Sequence, residues 1–146
     1  MKSCIFEVRL LRHKNISRTI EVPEAWSLYH LAEAVIDAFR FDFDHAFGFF
    51  DSDAEPYHLF AAGRKYELFT DMIEEGQDIE PTGAGSVKKT MISEAWQKPG
   101  DRLVMLFDYG DDWRFKIVLK AWGLRDTRRK YPVILEETGR APKQYA

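Results

Sequence analysis

Arg102-Leu103-Val104-Met105-Leu106-Phe107-Asp108-Tyr109-Gly110-Asp111-Asp112-Trp113-Arg114-Phe115-Lys116-Ile117-Val118-Leu119-Lys120-Ala121 contains two alternating apolar runs separated by a short polar break. Leu103, Met105 and Phe107 share one face of the first run; Phe115, Ile117, Leu119 and Ala121 share one face of the second. Successive side chains of a strand point to opposite faces, so each run reads as a half-buried strand. The break has the composition of a tight connection, and Gly110 is the residue expected to take the positive φ that such turns require. One antiparallel hairpin makes a sheet the organising element of the fold.

Upstream, Cys4, Phe6, Val8 and Leu10 alternate with Glu7 and Arg9, which predicts a first strand. A second runs from Arg18 to Val22 after the polar turn His13-Lys14-Asn15, and Pro23 ends it because proline has no N–H to donate. Leu28, Leu31, Ala32, Val35, Ile36 and Phe39 then follow helical spacing, with Ser27 as N-cap and Glu33 and Asp37 on the outer face. Phe47, Phe49 and Phe50 predict a strand over 45–50, with Asp51-Ser52-Asp53 as its turn. Residues 57–60 and 66–69 read as short strands or irregular connections, and 70–90, punctuated by Gly76, Pro81, Gly83 and Gly85, as an exposed loop. Residues 90–97 predict one short helix, and a weakly periodic tail follows Gly123.

A chain of 146 residues is expected to form a single domain over 1–146. With 45% hydrophobic and 31% charged residues it is neither a disordered chain nor a coiled-coil rod. No apolar run approaches the roughly 18 residues that span a bilayer, and Met1-Lys2-Ser3-Cys4-Ile5-Phe6-Glu7 lacks the apolar core of a signal peptide. A cytoplasmic location without membrane contact is therefore expected. The single cysteine excludes a disulfide framework. The net charge of −3 conceals a polarity: residues 1–112 hold 12 basic and 21 acidic side chains, residues 113–146 hold 9 basic and 3 acidic. Either the two ends complement each other in the fold, or one end meets an anionic partner.

Three readings of the polar residues compete. Asp108, Asp111 and Asp112, beside Tyr109, Gly110 and Trp113, could hold a hard divalent cation if His45 or Asp44 met them, with His45, Asp108 and Asp111 as the first ligands. That set would suit a metal-dependent hydrolase or nuclease. The structural alternative has Asp108 and Asp111 accepting backbone hydrogen bonds within the turn, Asp112 pointing to water and Trp113 packing over the strand base. Arg125, Arg128, Arg129 and Lys130, with Trp122 nearby, could contact a nucleic-acid backbone. His45 next to Asp44 has the chemistry of an oriented general base, and its structural alternative is a hydrogen-bonded partner at the edge of the core. Cys4, on the apolar face of its strand, reads as a buried thiol, and no nucleophile elbow or phosphate loop is present.

Phe107-Asp108-Tyr109-Gly110-Asp111-Asp112-Trp113 resembles the Tyr-Asp-Phe-Gly-Asp-x-Trp signature of the plasmid pRiA ORF-three-like family, a group linked with mobile elements. Leu28-Tyr29-His30-Leu31 with Ala38-Phe39, Phe43-Asp44-His45-Ala46-Phe47, Tyr131-Pro132 and Gly139-Arg140-Ala141-Pro142 match further family elements in order. The histidine that often follows the motif tryptophan is replaced by Arg114-Phe115-Lys116, and the acidic, glycine-rich ending is not found. The resemblance implies an α+β fold: a mostly antiparallel β-sheet packed against one main helix and one or two short helices, in accord with the pattern above. It implies no established activity. The resolvase label carried by some members finds neither an activated serine among arginines nor a DNA-reading helix pair here. The leading expectation is a non-catalytic interaction domain with a protein partner, its contact surface formed by His45, Asp44 and the acidic hairpin.

Overall fold

A computed structural model describes residues 1–51 and 63–145. The strands are β1 (Lys2–Leu10), β2 (Ser17–Pro23), β3 (Phe47–Phe50), β4 (Lys65–Glu67), β5 (Arg102–Phe107), β6 (Trp113–Leu124) and β7 (Val133–Thr138). The helices are α1 (Leu28–Ala38), α2 (Leu68–Glu74) and α3 (Ile92–Ala95). All seven strands form one antiparallel sheet in the order β4-β3-β5-β6-β1-β2-β7. The fold is α+β. Among the described residues no helix is long and apolar enough to cross a membrane. The Asp51-Ser52-Asp53 turn beyond its first residue, the 57–60 strand and His58 lie outside the described residues.

The main core lies on one face of the sheet, built by alternate residues of the central strands, while Phe50, Val104 and Leu106 form a smaller buried cluster on the other face. Cys4, Phe6, Val8 and Leu10 of β1 lie beside Phe115, Ile117 and Leu119 of β6, which in turn lie beside Leu103, Met105 and Phe107 of β5. Helix α1 covers this face with Leu28, Leu31, Ala32, Val35 and Ile36, and Phe39 packs its ring 4.9 Å from that of Phe115. Ser27 caps the helix, its Oγ accepting the N–H of His30 at 3.1 Å, and Glu33 and Asp37 face outward. Trp96, just after α3, fills the other end of the core against Phe6 and donates its indole N–H to the Ile117 carbonyl.

Several sequence expectations are corrected. Gly110 does not carry the positive φ of the hairpin; Asp108 (φ 61°) and Asp112 (φ 59°) do. The Asp108 carboxylate accepts the N–H groups of Gly110 and Asp111, both at 3.2 Å, and this local bond makes the left-handed backbone tolerable to an aspartate. The 70–90 segment is not simply an exposed loop. Helix α2 occupies its start, and the buried Asp71 carboxylate accepts from the Ser86 hydroxyl and the Val87 N–H, which seats Val87 in the core. The tail contains an edge strand, β7, paired to β2 from Ser17↔Thr138 to Glu21↔Val133.

Gly48 of β3 shows how closely the sheet meets the hairpin. The Tyr109 hydroxyl lies over it and donates to Glu67 of β4, and a Cβ at position 48 would meet the Tyr109 oxygen and the Glu67 Cγ at 2.9 Å each. Gly48→Ala is expected to destabilise the fold by about 1–3 kcal/mol through overpacking. Gly63→Ala, with nothing within 4 Å of the added carbon, serves as the control. Thermal unfolding of both variants checks this, and equal melting temperatures would refute it.

Candidate functional site

The β5–β6 connection and the segment before β3 meet in space. The Asp108 N–H donates to the Ala46 carbonyl at 2.9 Å, and the Asp108 Oδ2 lies 3.2 Å from His45 Nε2. Asp44 Oδ1 is 3.6 Å from the same nitrogen. A third segment closes over them. Gln144 accepts the Asp42 N–H at 2.7 Å and donates to the Asp42 carbonyl and to Asp44, while the Tyr145 hydroxyl donates to Asp44 Oδ2 at 2.7 Å. Nothing in the sequence pattern marks Gln144 or Tyr145, because their role arises from a contact spanning about a hundred residues.

The bonding assigns a proton. Tyr145 spends its single hydroxyl proton on Asp44, so its oxygen can only accept from His45 Nε2, 2.7 Å away. The other neighbours of that nitrogen are carboxylates, so Nε2 carries hydrogen. A protonated Nε2 is neither a free base nor a metal ligand while residues 144–145 are seated. The bond to Asp44 pushes the Tyr145 hydroxyl up to about 12, and the same bond lowers the Asp44 carboxyl.

The hairpin residues divide by role. Asp108 is nearly buried and committed to its turn and to His45. Asp111 and Gly110 are exposed at the tip. Tyr109 packs on Phe69 and is held by Glu67; burial first, then that carboxylate, pushes its hydroxyl up. Trp113 lies edge-on to Phe41 and stacked on His13, close to its expected place over the strand base. Asp112 does not point to water: it accepts from Arg114 Nε at 2.7 Å and from Arg12 at 3.0 Å. Arg114 is buried and needs a counter-charge, which the aspartate supplies.

Three ligands from His45, Asp108, Asp111 and Asp112 do not converge, and among the described residues no group of three or more His, Cys, Asp or Glu side chains is placed to hold a metal ion. Nor is the basic stretch a row of free cations. Arg129 lies 3.5 Å from the buried Glu21 and Arg128 pairs with Asp126, whereas the buried Arg125 Nε has no hydrogen-bond partner among the described residues. Lys130 is exposed, and Trp122 lies under the Lys2 ammonium. Burial pushes the Cys4 thiol up to about 12, which leaves it unreactive.

Two clefts flank this cluster. One, of about 470 Å³, has an apolar floor of Ala34, Phe41, Phe43 and Pro132 and a rim of Glu33, Asp37 and Asp42, with no lysine or arginine in its lining. His30 closes one side, stacked 3.4 Å from Trp26. The other, also about 470 Å³, lies between the end of α1 and residues 137–144.

A seven-stranded antiparallel sheet with one covering helix, its β5–β6 turn locked to a histidine segment, defines an α+β domain. The chain belongs to the family described as plasmid pRiA4b ORF-3-like protein, whose model matches residues 3–144. It is similar in fold to the crystal structure of a protein of unknown function, MM3350, from Methanosarcina mazei Go1, with a TM-score of 0.72 and 22% identity over 93% of this chain and 69% of that one. No curated protein is significantly similar to it.

Asp112 supplies a pH prediction. Burial raises its pKa, but the hydrogen bonds from Arg114 and Arg12 outweigh that and leave it lowered. Its stabilising contribution is therefore complete above the ordinary carboxylate value of about 4 and is lost as pH falls through the lower folded value. Asp112→Asn is expected to cost on the order of 1 kcal/mol at neutral pH. Melting curves of both proteins from neutral to strongly acid pH should converge at the acid end, and a constant gap would refute this role.

Proposed function

We propose that this chain is a non-catalytic, cytoplasmic binding module, acting as one domain over 1–146, that takes a basic segment of a protein partner on its acidic and aromatic face. One observation carries the reading: the cleft beneath Glu33, Asp37 and Asp42 joins an apolar aromatic floor to a rim of one sign of charge. Aromatic area supplies desolvation, and the rim selects the cation and steers its approach. The rim carboxylates form no hydrogen bond or ion pair among the described residues, so they are available to a partner. Through Asp42 the rim continues into the His45–Tyr145 cluster, where Asp44 and the exposed Asp111 extend the same sign. Chemistry is less well supplied: the His45 Nε2 is engaged by Tyr145 and the neighbouring carboxylates, and the single thiol is buried.

A labelled lysine- and arginine-rich peptide is expected to bind the full chain and to weaken severalfold between about 50 and about 300 mM salt. Asp37→Asn/Asp42→Asn should weaken it about tenfold, whereas Glu136→Gln, outside the cleft lining, should leave it unchanged. Fluorescence anisotropy reads each. Equal loss in both variants would mean nonspecific attraction and would end this reading.

A further inference from the structure

The second cleft has the opposite character. Arg18, Arg40, Arg140 and Lys143 line it together with a single carboxylate, Glu137. This leaves a concentration of positive charge on a chain whose net charge is −3. Arg18 forms a fixed floor: its side chain is 5% exposed, and its guanidinium donates to the carbonyls of Ser17, Ala38, Thr138 and Gly139. Glu137, at 3.6 Å, offsets that charge from a half-exposed position. Arg40, Arg140 and Lys143 are exposed at the mouth and form no ion pair among the described residues. Like charges gathered without counter-ions cost stability, and an anionic ligand removes that cost.

We propose that this cleft is a binding site for a small oligophosphate. Guanidinium groups match phosphate oxygens with paired donors, and a lysine adds a mobile point charge. Three unpaired cations call for a ligand with several negative charges, and about 470 Å³ lies within the range of small-molecule sites. A concave site enclosed by the end of α1 and residues 137–144 suits a compact ligand better than a nucleic-acid strand, which needs a cationic track along a surface. The site shares no lining residue with the acidic cleft, so the two proposals stand or fall separately.

Inorganic tripolyphosphate titrated calorimetrically into the full chain at about 50 mM salt tests the site. Binding is expected, with affinity falling about tenfold in Arg140→Gln/Lys143→Gln and about threefold or more in Arg40→Gln, which lies outside the 137–144 segment. Circular dichroism melts establish that the variants are folded; should the double variant melt early, Arg40→Gln decides. Arg128→Gln/Lys130→Gln is expected to bind like the parent. Absence of tripolyphosphate binding, loss in the Arg128/Lys130 variant rather than the cleft variants, or stronger binding to a single-stranded oligonucleotide than to tripolyphosphate would each overturn the proposal.

Discussion

The guanidinium of Arg18 lies where three parts of the chain have to be joined. Its Nε donates to the Ala38 carbonyl at the end of α1, and one terminal nitrogen reaches Ser17 on its own strand and Thr138 and Gly139 at the end of β7. A cation suits the last turn of a helix, where unpaired carbonyls concentrate negative potential, and its face also lies 4.9 Å from the Phe39 ring. Without this side chain, several carbonyls would lose their donors and the helix, sheet edge and tail would lose a common anchor. Gly139 completes the joint: at φ 75° it turns the chain where a side chain would collide with the Asn15 carbonyl. From this point residues 140–145 travel to Asp42 and His45, so the basic cleft and the closure over His45 both depend on it.

What local pattern can express was legible in the sequence. The alternations of β1 and β6 and the helical spacing of α1 follow from burial on one face, β5 is apolar on both because both its faces are buried, and Ser27 caps where its position predicts. Strand β7 escaped because it lies at the sheet edge, exposed at nearly every position, so it has no buried face to impress a period on its residues. Helix α2 escaped for a related reason: its one buried residue is Asp71, a polar anchor rather than an apolar stripe. The hairpin turn falls where the sequence predicts it, but Asp108 rather than Gly110 takes the left-handed backbone, because its side chain supplies the local bonding that makes a glycine unnecessary there.

The site divides in the same way. His45 beside Asp44, and the hairpin aspartates, were visible as residue types that could meet, and His45 and Asp108 do meet. Their closure by Gln144 and Tyr145 was not visible, because it joins segments remote in sequence. Complementation within the fold accounts for part of the charge polarity of the chain. Some opposite charges complement one another within the fold, as Arg129 does Glu21 and Arg114 does Asp112. Other charged side chains line two clefts of opposite sign.

The open edge at β7 bears on how this protein behaves in concentrated solution. Ile134 and Leu135 are 44% and 41% exposed there, beside unpaired backbone groups that invite another strand to add. Glu136 and Glu137 follow directly, and because successive side chains alternate, each face of the strand carries one carboxylate. A second copy adding antiparallel would crowd like charges into one short ladder. These two carboxylates therefore oppose the addition of another strand at this edge.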